Sequence, residues 1–302
     1  MDMHQKRRMR KQKKQISNEV EGRSNDPSLN IQWYPGHMAK AMRLMKEEIK
    51  NVDIILVMGD ARSVTASINP DFFKLINTKK FAYVFNKCDL ADEVQTAKWQ
   101  ADFKARGIDA FFIDCINKSG ISELSSYLIS LKERFRFNRE VRVMVTGIPN
   151  IGKSMLINTL AKRNGAEVGN KPGVTRAKKW IKVSGNYYLL DTPGVLPPKF
   201  ETEEDGVKLA SIGCVKDTIL DKDLLALKIV EFMIEHYPKL LLSRYAIEEI
   251  QSTSLQTYEK IGLVRGFKNK GGVIDYDRLS TAVIDEFKNG KIGRITFDRY
   301  EK

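Results

Sequence analysis

The chain has 302 residues, 42% of them hydrophobic, enough for a sizeable core in two domains or in one large domain with appendages. Its net charge of +13 points to a polyanionic partner, because Lys and Arg bind phosphate backbones by releasing condensed counterions. No window approaches the roughly 18 apolar residues of a membrane span, and no secretory signal core is present. Cys88, Cys115 and Cys214 are far apart and form no CxxC pair, which argues against a zinc module and for a reducing compartment.

Residues 1–15, MDMHQKRRMRKQKKQ, hold seven Lys or Arg against one Asp, nearly half the excess charge. With the polar linker SNEVEGRSNDPSLN they make residues 1–30 a disordered basic arm and linker, lacking the Ser and the apolar face of a mitochondrial presequence. In IQWYPGHMAKAMRLMKEEIK a Pro-Gly turn leads into an amphipathic helix. VDIILVMGDAR, FAYVFNKCDL and IDAFFIDC read as buried parallel strands, with INPDFFKLINT and AKWQADFKARG as helical links; VRVMVTG and NYYLLDTPG continue the pattern. From about residue 218, DLLALKIVEFMIEHYPKLLLSRY and RLSTAVIDEFKNGK carry helical periodicity without strand-like runs. The expected architecture is an α/β nucleotide domain at 31–217, followed by a smaller all-helical domain at 218–302.

GIPNIGKS, residues 147–154, satisfies G-x-x-x-x-G-K-S between a strand and a helix. In such a loop the backbone N–H groups of Asn150, Ile151 and Gly152 crowd around phosphate oxygens. Lys153 neutralises the β and γ phosphates, and Ser154 offers its hydroxyl to Mg²⁺. DTPG at 191–194 puts Asp191 at a strand end, where it can support the Mg²⁺ shell, and Gly194 where its N–H can sense a γ-phosphate. Thr175, in PGVTR between these motifs, is the candidate Mg²⁺ ligand of a switch loop.

NKCD, residues 86–89, follows the strand FAYVF and supplies Asn86, Lys87 and Asp89 for guanine. The Asp89 carboxylate can accept from both N1–H and the exocyclic amine of guanine, whereas adenine would leave it unpaired. A helix-capping turn is the plainer alternative. In FIDCINKSGIS a small residue's backbone N–H would meet guanine O6, with Asp114 and Cys115 where a Ser-Ala pair is commoner in GTPases.

The base-reading elements precede the phosphate-reading ones. In this order the chain resembles the circularly permuted GTPases, and more closely the RbgA/YlqF family of ribosome-assembly GTPases. The resemblance covers residues 31–302 and rests on QWYPGHMAKAMR, DARSVTASINP, NKCD, GIPNIGKSMLINTL, KPGVTR, DTPGVLPPKFETEEDGVKLASIG and GGVIDYDRLSTAVIDEFKNGKIGRITFD. It implies a circularly permuted P-loop GTPase domain, a helical RNA-binding domain and Mg²⁺ as cofactor. The implied partners are GTP or GDP, rRNA and the large ribosomal subunit, with no membrane and a monomer off the ribosome, in the bacterial cytoplasm ahead of an organellar matrix.

Many GTPases position the attacking water with a Gln directly after the DxxG glycine, but here Val195 stands there. By residue type His37 merely caps a turn, while the resemblance implies a catalytic histidine. Asn150 is either loop-shaping or, as its likeness to potassium-dependent GTPases implies, a K⁺ ligand. The expected function is GTP hydrolysis during a late step of large-subunit (50S) assembly, slow alone and stimulated by the subunit. The alternative is a nucleotide-gated RNA-binding scaffold with incidental turnover. A regulatory GTPase of a protein or membrane partner is disfavoured by the basic arm and the missing lipidation signal.

Overall fold

In a computed structural model of the chain, the structure describes residues 36–76, 79–134, 139–163, 180–183, 187–215 and 221–300, with the backbone alone at Gly36, His37, Arg134 and Arg163. Arm residues 1–30 lie outside these described residues. Two compact units result, Gln32–Phe200 together with Arg294–Lys302, and Glu201–Gly293.

The first unit is α/β. Helix α1 (Gly36–Glu48) and a short 3₁₀ turn lead into β1 (Ile54–Asp60). Then come α2 (Asp71–Ile76), β2 (Lys80–Asn86), α3 (Glu93–Ala105), β3 (Ala110–Phe112), α4 (Ile121–Arg134), β4 (Val141–Gly147), α5 (Lys153–Arg163), β5 (Trp180–Val183) and β6 (Tyr187–Asp191). The sheet order is β3-β2-β1-β4-β6-β5, parallel except for β5, which runs antiparallel to β6. β1 is buried along its whole length, as a strand covered on both faces must be, and this accounts for its unbroken apolar run.

The register decides where function can lie. Asp60 pairs with Asn86, Met58 with Gly147, and Val145 with Asp191. The last residues of β1, β2, β4 and β6 therefore share the carboxyl edge of the sheet, where open α/β folds bind ligands. Behind β2, Phe85, Phe103 and Phe112 interlock with Tyr83 and Trp99 and fix the strand that precedes NKCD.

The second unit is helical: α6 (Glu203–Ser211), α7 (Lys222–His236), α8 (Pro238–Tyr245), α9 (Ser254–Val264) and α10 (Tyr276–Lys288). Thr202 and Asp205 form a capping box at α6, and Asp221, Thr253 and Asp275 cap α7, α9 and α10. α7 buries Leu225, Ala226, Leu227, Ile229, Val230 and Met233, and the other four helices pack on it. Pro238 opens α8 at its first position, so the periodic run 222–245 is two helices. Glu286 of α10 receives Arg244 at 2.9 and 2.7 Å and Arg265 at 2.8 Å, linking α10 to the ends of α8 and α9.

The units part differently from the expected junction at 217. α6 packs on α7 and α10 and so groups with the helices, while residues from Arg294 onward return to the sheet-containing unit. No helix among the described residues is long and apolar enough to cross a membrane.

Candidate nucleotide site

β4 delivers the chain into the phosphate loop and α5 takes it up again at Lys153. Gly152 has φ +99°, and a Cβ there would lie 2.4 Å from Asn86 Nδ2. Both conditions require glycine. Asn150 is also left-handed, at φ +60°. The buried Lys153 places its Nζ 2.7 Å from the Ile148 carbonyl, holding the ammonium over the loop. DTPG approaches so closely that a Cβ on Gly194 would meet Pro149 Cα at 2.7 Å and Lys153 Nζ at 2.9 Å.

Ser154 donates its hydroxyl to Asp191 Oδ2 at 2.8 Å, while Asp191 Oδ1 is buried without a hydrogen-bond partner. A buried carboxylate oxygen left unpaired beside a hydroxyl is a poor arrangement for a protein alone and a good one for a divalent cation. The residues present thus fit Mg²⁺. Thr175, the third expected ligand, lies outside the described residues.

On the base side, Asn86 is buried. Its Nδ2 donates to Ile151 O at 2.8 Å and its Oδ1 accepts from Cys115 N at 3.2 Å. Lys87, left-handed at φ +61°, stretches its ammonium to Asn150 O at 3.2 Å and to Asp60 Oδ2 at 3.0 Å. The fully buried Asp60 also receives the Arg62 guanidinium in a fork, 2.9 Å on each oxygen. Burial pushes the Asp60 carboxyl up, but Arg62 and Lys87 prevail and hold it at about 2. Asp60 and Arg62 were quoted in the sequence only as part of a motif. An acidic residue at the polar stop of a buried strand, two positions before an Arg, is the signal that could have found the pair.

Asp89 is half-buried. Desolvation and then the Asp114 carboxylate push its carboxyl up, while Arg62 and Arg294 act the other way. Asp114 closes its own loop, accepting from Ile116 N at 2.7 Å, Asn117 N at 3.2 Å and Asn117 Nδ2 at 2.5 Å. The Cys115 N–H expected to meet guanine O6 is the one donated to Asn86, through a long bond that O6 would have to share or replace. Burial and the neighbouring Asp114 raise the Cys115 thiol to about 12, so it is a neutral wall of this region.

Val195 is buried, with its N–H on Gly147 O at 3.2 Å and its carbonyl receiving Asn69 Nδ2 at 3.1 Å. It cannot orient water. His37 has its backbone in the first turn of α1, and its side chain lies outside the described residues.

The model of a family described as "50S ribosome-binding GTPase" matches residues 142–258, beginning in β4 and leaving NKCD upstream of the match. A Bacillus cereus protein named ribosome biogenesis GTPase A is 42% identical over 280 residues, covering 90% of this chain and 95% of that protein. A Xenopus tropicalis protein named mitochondrial ribosome-associated GTPase 1 is 32% identical, with 88% and 94% covered. The solved structure of GNP-bound YlqF from T. maritima is 26% identical and superposes with a TM-score of 0.60, over 86% of this chain and 98% of that one.

Proposed function

The chain belongs to the ribosome biogenesis GTPase A family, and on that premise we propose that it hydrolyses GTP to GDP and phosphate while assisting a late step of large (50S) ribosomal subunit assembly. The observation that supports this best is the single side chain of Asn86, which links the loop expected to read guanine to the loop expected to hold phosphates.

In this reading Asp89 accepts from N1–H and the exocyclic amine of guanine. The backbone N–H groups of Asn150, Ile151 and Gly152 receive phosphate oxygens, and Lys153 exchanges the Ile148 carbonyl for the β and γ phosphates. Ser154 and Asp191, with Thr175, would hold Mg²⁺, which supplies charge neutralisation to the phosphates. Gly194 lies against the phosphate loop and offers its N–H to the γ-phosphate.

Because Val195 is buried, another group must orient the attacking water, and His37 is our assignment. Asn150 is assigned to K⁺, which would stand where other GTPases place an arginine finger. The helical unit and the basic arm bind rRNA, and hydrolysis lets the protein leave. Bacterial cytoplasm and a monomeric state off the ribosome complete the proposal. The second reading, a nucleotide-gated RNA-binding scaffold, draws on the same buried Val195, which lowers intrinsic turnover.

The test is GTP hydrolysis in K⁺ buffer with and without purified large ribosomal subunits, with ATP as control and His37→Ala as the paired variant. Strong stimulation that is specific to GTP and lost in His37→Ala is expected. An unchanged rate on subunits overturns the ribosome-activated reading and favours the scaffold. Replacing K⁺ with Na⁺ should depress the rate, and equal rates remove the K⁺ assignment from Asn150.

A further inference from the structure

The segment Arg294–Asp298 runs along the outside of the loop that follows NKCD. Arg294 donates from Nη2 to Cys88 O at 3.0 Å and from Nε to Ala91 O at 3.0 Å. The N–H of Ile295 reaches Leu90 O at 3.0 Å, and Thr296 Oγ1 accepts from Asp92 N at 3.1 Å. Every residue of the loop from Cys88 to Asp92 except Asp89 is therefore held through its backbone by this segment. Asp89 is the one expected to turn toward the base.

The same segment is anchored beyond the loop. Phe297 N donates to Arg62 O at 2.7 Å, and Asp298 Oδ2 accepts from Ser63 Oγ at 3.0 Å, Thr65 N at 2.8 Å and Ala66 N at 3.2 Å. The Asp298 carbonyl receives Trp99 Nε1 at 2.7 Å. Ile295, Thr296, Phe297 and Asp298 are all buried, as a free tail is not. Arg62 carries the contact inward through Asp60 and Lys87 to Asn150 of the phosphate loop.

We infer that Arg294 is a positioning residue for guanine recognition, and that with Ile295–Asp298 it forms a strap holding the loop after Lys87 so that the Asp89 carboxylate faces the base. This rests on the guanine-site reading above. Two charge-assisted bonds from one planar guanidinium fix the loop at both ends of its turn, which an ammonium cannot do at once. The guanidinium charge also offsets the Asp114 carboxylate near Asp89, where Arg62 is the other cation, and favours the ionised acceptor that guanine requires. The ion pair with the exposed Glu93 adds little, because water screens it.

The experiment uses the full chain and compares equilibrium binding of GDP, IDP and ADP to the wild type, Arg294→Ala and Arg294→Lys, with melting temperature measured alongside. IDP lacks the exocyclic amine, so the GDP-to-IDP affinity ratio reads the second contact of Asp89. We expect Arg294→Ala to weaken GDP about tenfold, as the loss of a charge-assisted bond would, and to shrink that ratio. It should also move the acid fall-off of GDP binding to higher pH, while Arg294→Lys restores the acid limb and only part of the ratio. Equal losses for GDP and IDP with a lowered melting temperature, or no loss at all, overturn the proposal. If Arg294→Ala does not fold, Arg294→Lys decides alone, since an unchanged ratio in it also overturns the proposal. A wild type that binds ADP as tightly as GDP removes the guanine site itself, which is a separate failure.

Discussion

The side-chain amide of Asn86 donates to the Ile151 carbonyl at 2.8 Å, across 65 residues of sequence, and thereby joins the end of β2 to the middle of the phosphate loop. Its other atom holds Cys115 N. Asn86→Ala should leave these buried partners unsatisfied at about 1–3 kcal/mol each. GDP affinity should fall by about 10²-fold, since each 1.4 kcal/mol is roughly tenfold. A nucleotide titration checks this, and unchanged affinity would show that the loops hold their shape without the amide.

Gly152→Ala adds a methyl 2.4 Å from the Asn86 amide nitrogen at a backbone φ of +99°. Either the amide or the loop must move, so nucleotide binding should be lost while the melting temperature falls by only a few degrees, on the order of 1–3 kcal/mol of local strain. Retained binding would mean that the loop relaxes without consequence.

Asp60 carries a pH signature. Its folded-state value is depressed to about 2 from 3.8, so its stabilising contribution is fully present above about pH 4 and is lost as pH falls through about 2. The shift corresponds to on the order of 2 kcal/mol. Asp60→Asn should therefore lose less stability between pH 4 and pH 2 than the wild type does. At pH 7, Asp60→Ala should cost about 3–5 kcal/mol, because it leaves the buried Arg62 uncompensated. Thermal unfolding across that pH range measures both.

Ser154→Ala removes the hydroxyl beside the unpaired Asp191 Oδ1. Hydrolysis should fall by about 10²-fold or more and the Mg²⁺ concentration needed for half-maximal rate should rise, in keeping with loss of a metal-positioning group. Adenine and guanine should be discriminated as before. A rate titration against Mg²⁺ tests this; an unaltered Mg²⁺ midpoint counts against the pair as the metal site.

Much of the site was legible because strand ends are legible. The apolar run Ile54–Met58 stops at a polar edge, FAYVF stops at Asn86, VRVMVT at Gly147 and YYLL at Asp191. In a parallel sheet such stops gather on one edge. Side-chain bonds between distant segments leave no periodic trace. An Arg reads as a surface residue, yet Arg62 is buried against Asp60. GRITFD reads as the trailing end of a helical domain, yet its Asp298 bonds to Thr65, 233 positions upstream. Pro238 was in plain view, but periodicity alone carried the helix through it.

The sheet order also sets a schedule for synthesis. β1 sits between β2, which precedes the base loop, and β4, which precedes the phosphate loop, so the middle of the sheet is made first and its flanks later. An emerging chain has its base-reading loop by residue 92, its phosphate loop by residue 154 and Asp191 after that. The segment that grips the base-reading loop is made only after α10. Contacts this distant in sequence form slowly, since loop closure must come before they reward it. A ribosome translating this chain thus releases a nucleotide site that is finished only when residue 298 has cleared the exit, and a partly made copy cannot hold guanine as the finished one does.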